Sequence, residues 1–169
     1  MELPSALLKH TQSNPNIGQY TPNRRLFGMT NCKKNCLIFP YVLEGKDVKS
    51  KHFKWRIETD VSCETTNIVY MLICMKENFQ SKEGYIHRYI GESERTLKDR
   101  VCELLGYINT KRTDQPERNH FNMRGHSKSD MRVVILERVF KQDPAYRKER
   151  ESHLIRKFNT FYKGMNQKP

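Results

Sequence analysis

No stretch of this chain approaches the roughly 20 consecutive apolar residues that a membrane-spanning helix needs, and its first residues lack the continuous apolar region of an export signal. The expected setting is therefore intracellular, with no membrane partner. Cysteine is scarce and odd in number (Cys32, Cys36, Cys63, Cys74 and Cys102), which argues against a disulfide framework and for free thiols or metal ligation. No segment repeats. Hydrophobic residues make up only 36% of the chain against 30% charged ones, so the core must be small and its surface heavily solvated. Acidic residues are also in short supply: 19 Asp and Glu face 31 Lys and Arg, a formal charge of +12. A field of that sign draws in polyanions before any specific contact forms, although a basic surface kept for solubility would have the same composition.

With 169 residues the chain has room for one domain and a modest appendage. Residues 1–25 hold Pro4, Pro15, Pro22 and the pair Arg24-Arg25 with no sustained apolar period, and read as a flexible basic linker. Residues 26–62 read as a small hairpin-bearing, cysteine-containing subdomain: Leu37 to Val42 is a short apolar run, Gly45 centres a turn, and Phe53 to Ile57 alternates like a strand. Residues 63–169 form the main domain. Ile68 to Cys74 is apolar on both alternate faces, as a central strand covered on two sides must be. Tyr85 to Ile90 gives a second strand with Tyr85, His87 and Tyr89 on one face, ended by Gly91. Leu97, Val101, Leu104 or Leu105, and Ile108 recur at helical spacing, predicting an amphipathic helix over Thr96 to Ile108 with Arg100 on its flank. Met131 to Val139 is a third strand, and Asp143-Pro144 opens a second helix. This order predicts an α+β fold, a small three-stranded antiparallel sheet flanked by helices.

In that last helix Glu151, Leu154, Ile155 and Phe158 follow the i, i+3, i+4, i+7 pattern, so a carboxylate heads an apolar stripe. An unpaired buried carboxylate costs several kcal/mol, so it either pairs with Arg147 or Arg150 or has a cation to bind.

Asn67-Ile68-Val69-Tyr70, then Tyr89-Ile90-Gly91, then Thr96-Leu97-Lys98-Asp99-Arg100, with Glu151 and Asn166 far downstream, form an ordered set that resembles the signature of GIY-YIG nucleases. Over residues 63 to 167 the closer resemblance is to the endonuclease domain attached to Penelope-like retroelement reverse transcriptases. Cys32 and Cys36 ahead of Pro40-Tyr41, Ser62-Cys63, Gly91-Glu92-Ser93, His120-Phe121-Asn122, Gly125-His126-Ser127 and Gly164-Met165-Asn166 carry that subgroup likeness. The resemblance implies a GIY-YIG-like fold and a metal-dependent DNA endonuclease that nicks by phosphodiester hydrolysis. Glu151 would hold a divalent Mg2+ or Mn2+ ion, and Arg100 would bind phosphate oxygens through its fork of donors. Tyr70 would accept a proton from the attacking water, which requires a nearby cation to lower a phenol pKa of about 10. Tyr89 would position the water or phosphate, and Asn166 would orient the site through its amide. The implied partners are DNA and a reverse transcriptase domain or its RNA, in the nucleus. Lys33, Lys34, Arg95, Lys98, Lys111, Arg112 and the stretch Arg147 to Arg150 would contact phosphates with little sequence readout.

Metal-ligand candidates form a second constellation. Cys32-x3-Cys36 with Cys63 could contribute thiolates. In the subgroup pattern a cysteine pair between the tyrosine motifs joins two later histidines in a zinc site. Cys74, His120 and His126 match three of those positions, the second cysteine has no counterpart, and His87 stands nearby in sequence. Two other departures are Ile-Val-Tyr at residues 68–70 where the family name has Gly-Ile-Tyr, and Leu104 where the subgroup has His. These departures suit a competing reading, a catalytically weakened or inactive nucleic-acid-binding module of the same fold. A zinc-organised protein-interaction adaptor is a third.

Overall fold

A computed structural model describes residues 27–168 apart from 31, 34, 51–52 and 79–86. The linker expected over residues 1–25, Lys34, and the Tyr85 start of the second strand lie outside the described residues. In chain order the elements are β1 (Gly28–Met29), β2 (Asp47–Ser50), β3 (Phe53–Arg56), β4 (Asp60–Val61), β5 (Ile68–Cys74), α1 (Met75–Asn78), β6 (Arg88–Ser93), α2 (Leu97–Asn109), α3 (Pro116–Asn122), β7 (Met131–Arg138), α4 (Pro144–Phe158) and α5 (Thr160–Lys163), with short 3-10 turns at Phe39–Tyr41 and Lys128–Asp130. The class is α+β, as the periodicity predicts. No helix among the described residues is long and apolar enough to cross a membrane.

Every residue of β5 is buried, so this strand must be paired on both edges and covered on both faces. It lies between β6 and β7, antiparallel to each, in the order β6-β5-β7. The second strand does not stop at Gly91 as the sequence suggested. It runs through to Ser93, with Gly91 opposite Tyr70. Glycine reads as a terminator when only local propensity is weighed; here its missing side chain is what lets an aromatic ring pack against the strand.

α2 begins where Thr96 Oγ1 accepts from the Asp99 N–H at 3.0 Å, and buries Leu97, Val101, Leu104 and Ile108. α4 is capped by Asp143, whose side chain accepts from the Ala145 N–H at 2.9 Å, and stops at Asn159 in the left-handed region, φ 53°. It packs on β6 and β5. The short helix α3 was not foreseen as an element, although Pro116 at its first position and the buried set Glu117, His120 and Phe121 are its local signals.

The 26–62 segment contains the expected hairpin, β2 against β3, and a parallel pair of β1 with β4. Its apolar side chains join the cluster built on the main sheet. The junction is specific. β7 is irregular opposite Val69/Tyr70, so Val69 faces Glu137 and Tyr70 faces Ile135. The carbonyl of Leu136 between them is taken by the Trp55 indole N–H at 2.9 Å. Val42 also bridges to Val133.

β6 is an edge strand, and the end of the chain covers it. The Met165 N–H donates to the Arg88 carbonyl at 2.7 Å, while Asn166 meets Ile90 at both backbone groups: Ile90 N–H to Oδ1 at 2.9 Å and Nδ2 to the Ile90 carbonyl at 2.8 Å. One side-chain amide thus completes a strand ladder. Asn166→Ala is expected to cost about 2–4 kcal/mol, since it leaves a buried N–H and C=O unmet. Urea unfolding measures it; a loss under about 0.5 kcal/mol would mean that water takes over both bonds.

Candidate functional site

Tyr70 and Gly91 face each other across the β5–β6 ladder, and Tyr89 lies two residues before Gly91 on the same face of β6. A Cβ at Gly91 would stand 2.7 Å from Tyr70 Oη and 2.8 Å from Tyr89 Cε1, so both phenols are packed over the bare backbone of this glycine. α2 then delivers Arg100 to them. Its Nε donates to Tyr70 Oη at 2.9 Å, its Nη1 to Glu103 Oε2 at 2.9 Å, and its Nη2 lies 3.6 Å from Glu117 Oε1. The guanidinium is therefore aimed by three groups at once.

Glu103 is shared. It also accepts from Arg95 Nη2 at 2.7 Å and from the Tyr107 hydroxyl at 3.2 Å. Glu117 was not singled out from the sequence. It is 1% exposed, its Oε2 accepts no hydrogen bond among the described residues, and its second cation is Arg118 at 4.0 Å. The signal was available: Glu117, His120 and Phe121 repeat the i, i+3, i+4 arrangement that made Glu151 conspicuous.

Glu151 approaches the two phenols from α4. Its charge is felt by both Tyr70 and Tyr89, and its carboxylate accepts from the backbone N–H of Glu92. The arginines that could have neutralised it are committed elsewhere. Arg147 is buried and pairs with Glu92, donating also to Asn67 Oδ1 at 3.0 Å; Arg150 makes two 2.9 Å bonds to Glu137. Within the stretch Arg147 to Arg150 expected to contact phosphates, Arg147 and Arg150 are instead committed to β6 and β7, while Lys148 stays exposed.

The protonation states follow from burial. Burial pushes the Glu151 carboxyl up to about 7, and the nearby Glu92 charge adds to this. Burial also raises Glu117, against the pull of Arg100 and Arg118. Tyr70 is raised to about 12 by burial even though Arg100 opposes it, and burial lifts Tyr89 well above the ordinary phenol value. A cation beside Tyr70 is thus present as expected, but it does not bring the phenol down: dehydration outweighs it. Burial works against the Arg100 charge, yet Tyr70, Tyr89 and Glu117 hold it above the ordinary guanidinium range. At neutral pH these side chains are two neutral phenols, a fixed cation and a carboxyl near mid-titration.

Asn166 brings no free group to these side chains, because its amide is spent on Ile90 next to Gly91. It positions β6. Among the basic residues, Lys33, Lys111 and Arg112 are exposed, Arg95 is half exposed and tied to Glu103, and Lys98 lies 3.3 Å from Glu64. Leu104 is buried in the α2 face, so the position where the sequence pattern expected a histidine points into the core.

Among the described residues two groups of side chains could hold a metal ion, each with its ligand atoms within 4.8 Å of one another: Cys32, Cys36 and Cys63, and separately Cys74, His120 and His126. The second set joins the end of β5 to α3 and the following turn. His87 stacks on His120 with ring centroids 5.0 Å apart, and its carbonyl accepts from the Cys74 N–H at 3.1 Å.

Comparison of the chain with models of protein families, with curated proteins and with solved structures finds no match.

Proposed function

We propose that the protein is a metal-dependent endonuclease of the GIY-YIG type, related to the endonuclease domain of Penelope-like retroelements, that nicks DNA. The observation that supports this reading is the convergence of Tyr70, Tyr89, Arg100 and Glu151 from four separate elements, with Arg100 bonded to Tyr70 at 2.9 Å and the charge of Glu151 acting on both phenols. A scissile phosphate is negatively charged, and its transition state puts more charge on the phosphoryl oxygens and the leaving 3′-oxygen. The site must therefore offer positive charge and a proton acceptor.

Arg100 offers the phosphate a planar guanidinium already oriented by Glu103 and Glu117, so little is lost in ordering it on binding. Tyr70 and Tyr89, both protonated at rest, supply hydroxyls for the phosphate or the attacking water. Tyr70 becomes a base only as added positive charge lowers its pKa from about 12. Glu151 is a hard oxygen donor whose neighbouring arginines are already paired, which fits a Mg2+ or Mn2+ ion that keeps several waters. Bound there, the ion would polarise the phosphate and steady the leaving oxygen. Cys74, His120 and His126 are assigned to a structural zinc that ties α3, and so Glu117, to the sheet.

Purified protein with Mg2+ or Mn2+ is expected to nick supercoiled plasmid. Glu151→Ala is expected to retain salt-dependent DNA binding and lose nicking. Binding without nicking in the unaltered protein would favour the inactive-module reading. Equal metal-dependent nicking by both proteins would remove Glu151 from the site.

A further inference from the structure

We propose that Cys32, Cys36 and Cys63 bind a zinc ion that staples the 26–62 segment to the start of α2. The inference stands whether or not the protein cuts DNA. The three sulfurs lie within 4.8 Å of one another, and Cys36 Sγ is 4.0 Å from Cys63 Sγ. Tetrahedral zinc with Zn–S bonds of about 2.3 Å separates its sulfurs by about 3.8 Å. The three sulfurs are already close to that spacing.

The backbone explains why the thiols meet. The β1–β4 pair holds residues 28–29 beside 60–61, and the Thr30 N–H and hydroxyl both donate to the Val61 carbonyl, at 2.9 and 3.1 Å. Each strand then turns back at once. The Cys36 N–H donates to the Lys33 carbonyl at 2.8 Å and the Phe39 N–H to the Cys36 carbonyl at 3.0 Å, while on the other side the Thr65 N–H donates to the Ser62 carbonyl at 3.0 Å. Two tight turns thus point cysteines at each other from residues 27 apart in sequence. The Lys98 N–H donates to the Cys63 carbonyl at 2.9 Å and the Leu97 N–H to the Thr65 carbonyl at 3.2 Å, so the same turn sits on the first residues of α2.

The surroundings suit an anionic thiolate site. Lys98 stands beside it, 3.3 Å from Glu64 Oε1, which is itself 3.9 Å from Cys63 Sγ and gives a further oxygen donor on the exposed side. Cys32 and Cys36 are half-buried and Cys63 is buried, so the ion has an entry path on one side and a dry wall on the other. Bound metal would hold the β1–β4 corner against the helix that carries Arg100.

The test needs no variant at first. Alkylation of reduced, unaltered protein is followed residue by residue by mass spectrometry, with zinc and after chelation. Zinc is expected to slow labelling of Cys32 and Cys36 at least about tenfold and to leave Cys102 unchanged. Cobalt(II) in place of zinc is expected to give a sulfur-to-metal charge-transfer band that falls in Cys36→Ser, at an exposed-side position, and persists in His126→Ala. Equal labelling rates with and without zinc would overturn the proposal, as would a Cys36–Cys63 disulfide in the reduced preparation or a cobalt band lost only with His126. Plasmid nicking reads the other proposal separately and does not enter these outcomes.

Discussion

Glu151→Gln is expected to cut nicking by orders of magnitude while making the metal-free protein more stable at neutral pH. The two effects have one cause. The carboxyl titrates near 7 in the folded protein because burial, and then the Glu92 charge, oppose its ionised form, whereas an unfolded glutamate titrates near 4.3. Between those values the folded state holds the proton more tightly. Stability therefore falls as pH rises from about 4.3 to 7, and the loss is complete above the folded value. Glutamine keeps the shape without the charge. The gain of Glu151→Gln over the natural residue should be near zero at acid pH and level off at about 1–2 kcal/mol above pH 7, after allowance for solvent screening of this partly exposed group. Thermal unfolding in a chelator at several pH values gives the curve. Adding Mg2+ should stabilise only the natural protein, because ligand binding to the folded state adds RT ln(1 + [L]/Kd). Loss of the carboxylate proposed to hold the metal should reduce nicking by ~10^2–10^3-fold, equivalent to about 3–4 kcal/mol of transition-state stabilisation. Nicking by the natural protein should rise with pH toward 7 and shift to lower pH as Mg2+ is raised, since the ion competes with the proton. A Glu151→Gln protein no more stable at pH 8 than at pH 4.5, relative to the natural chain, would show the carboxyl to be well solvated.

Gly91→Ala is expected to damage stability and activity together. The added carbon would lie 2.7 Å from Tyr70 Oη, 2.8 Å from Tyr70 Cζ and 2.8 Å from Tyr89 Cε1. Tyr70 is 1% exposed and held by Arg100, so it has little room to retreat. Overpacking of this kind costs about 1–3 kcal/mol, a fall in melting temperature of roughly 2–12 °C for a chain of this size. Because any relief must push Tyr70 away from Arg100, nicking should fall along with stability. Tyr70→Phe removes the atom of closest approach. The double variant should thus recover part of the stability lost in Gly91→Ala without recovering activity, a coupling that a double-mutant cycle measures. A single variant melting within about 1 °C of the natural protein would show that the ring already has space.

Much of the scaffold was legible because it is local. β5 declares itself through an unbroken apolar run that only a two-sided central strand requires, and α2 and α4 through apolar spacing bounded by Thr96, Asp143 and Pro144. The two tyrosines, Arg100 and Glu151 were also picked out in advance, though from a resemblance in their order and not from any measure of closeness. Errors came where a residue's meaning depends on what packs over it. Gly91 looked like the end of a strand and is its middle, since no local rule registers a ring from the neighbouring strand. Arg147 looked like a solvent-facing cation and is buried against Glu92, because helical phase alone does not say that β6 would offer a carboxylate there. Glu117 went unnoticed on a helix of seven residues, too short for its periodicity to stand out.

Composition and pattern by themselves determined a small basic α+β domain, the identity of its central strand and main helices, and the supply of phenols, cations, carboxylates and thiols. Those properties depend on residue type and on neighbours three or four positions away, which the linear chain carries in full. Only the tertiary structure decided that Arg100 meets Tyr70, that Glu151 is left to titrate near 7 while its flanking arginines turn to Glu92 and Glu137, and that cysteines from distant turns share one corner. Distance, dehydration and competition for partners set those outcomes, and each arises only when separate segments are packed together.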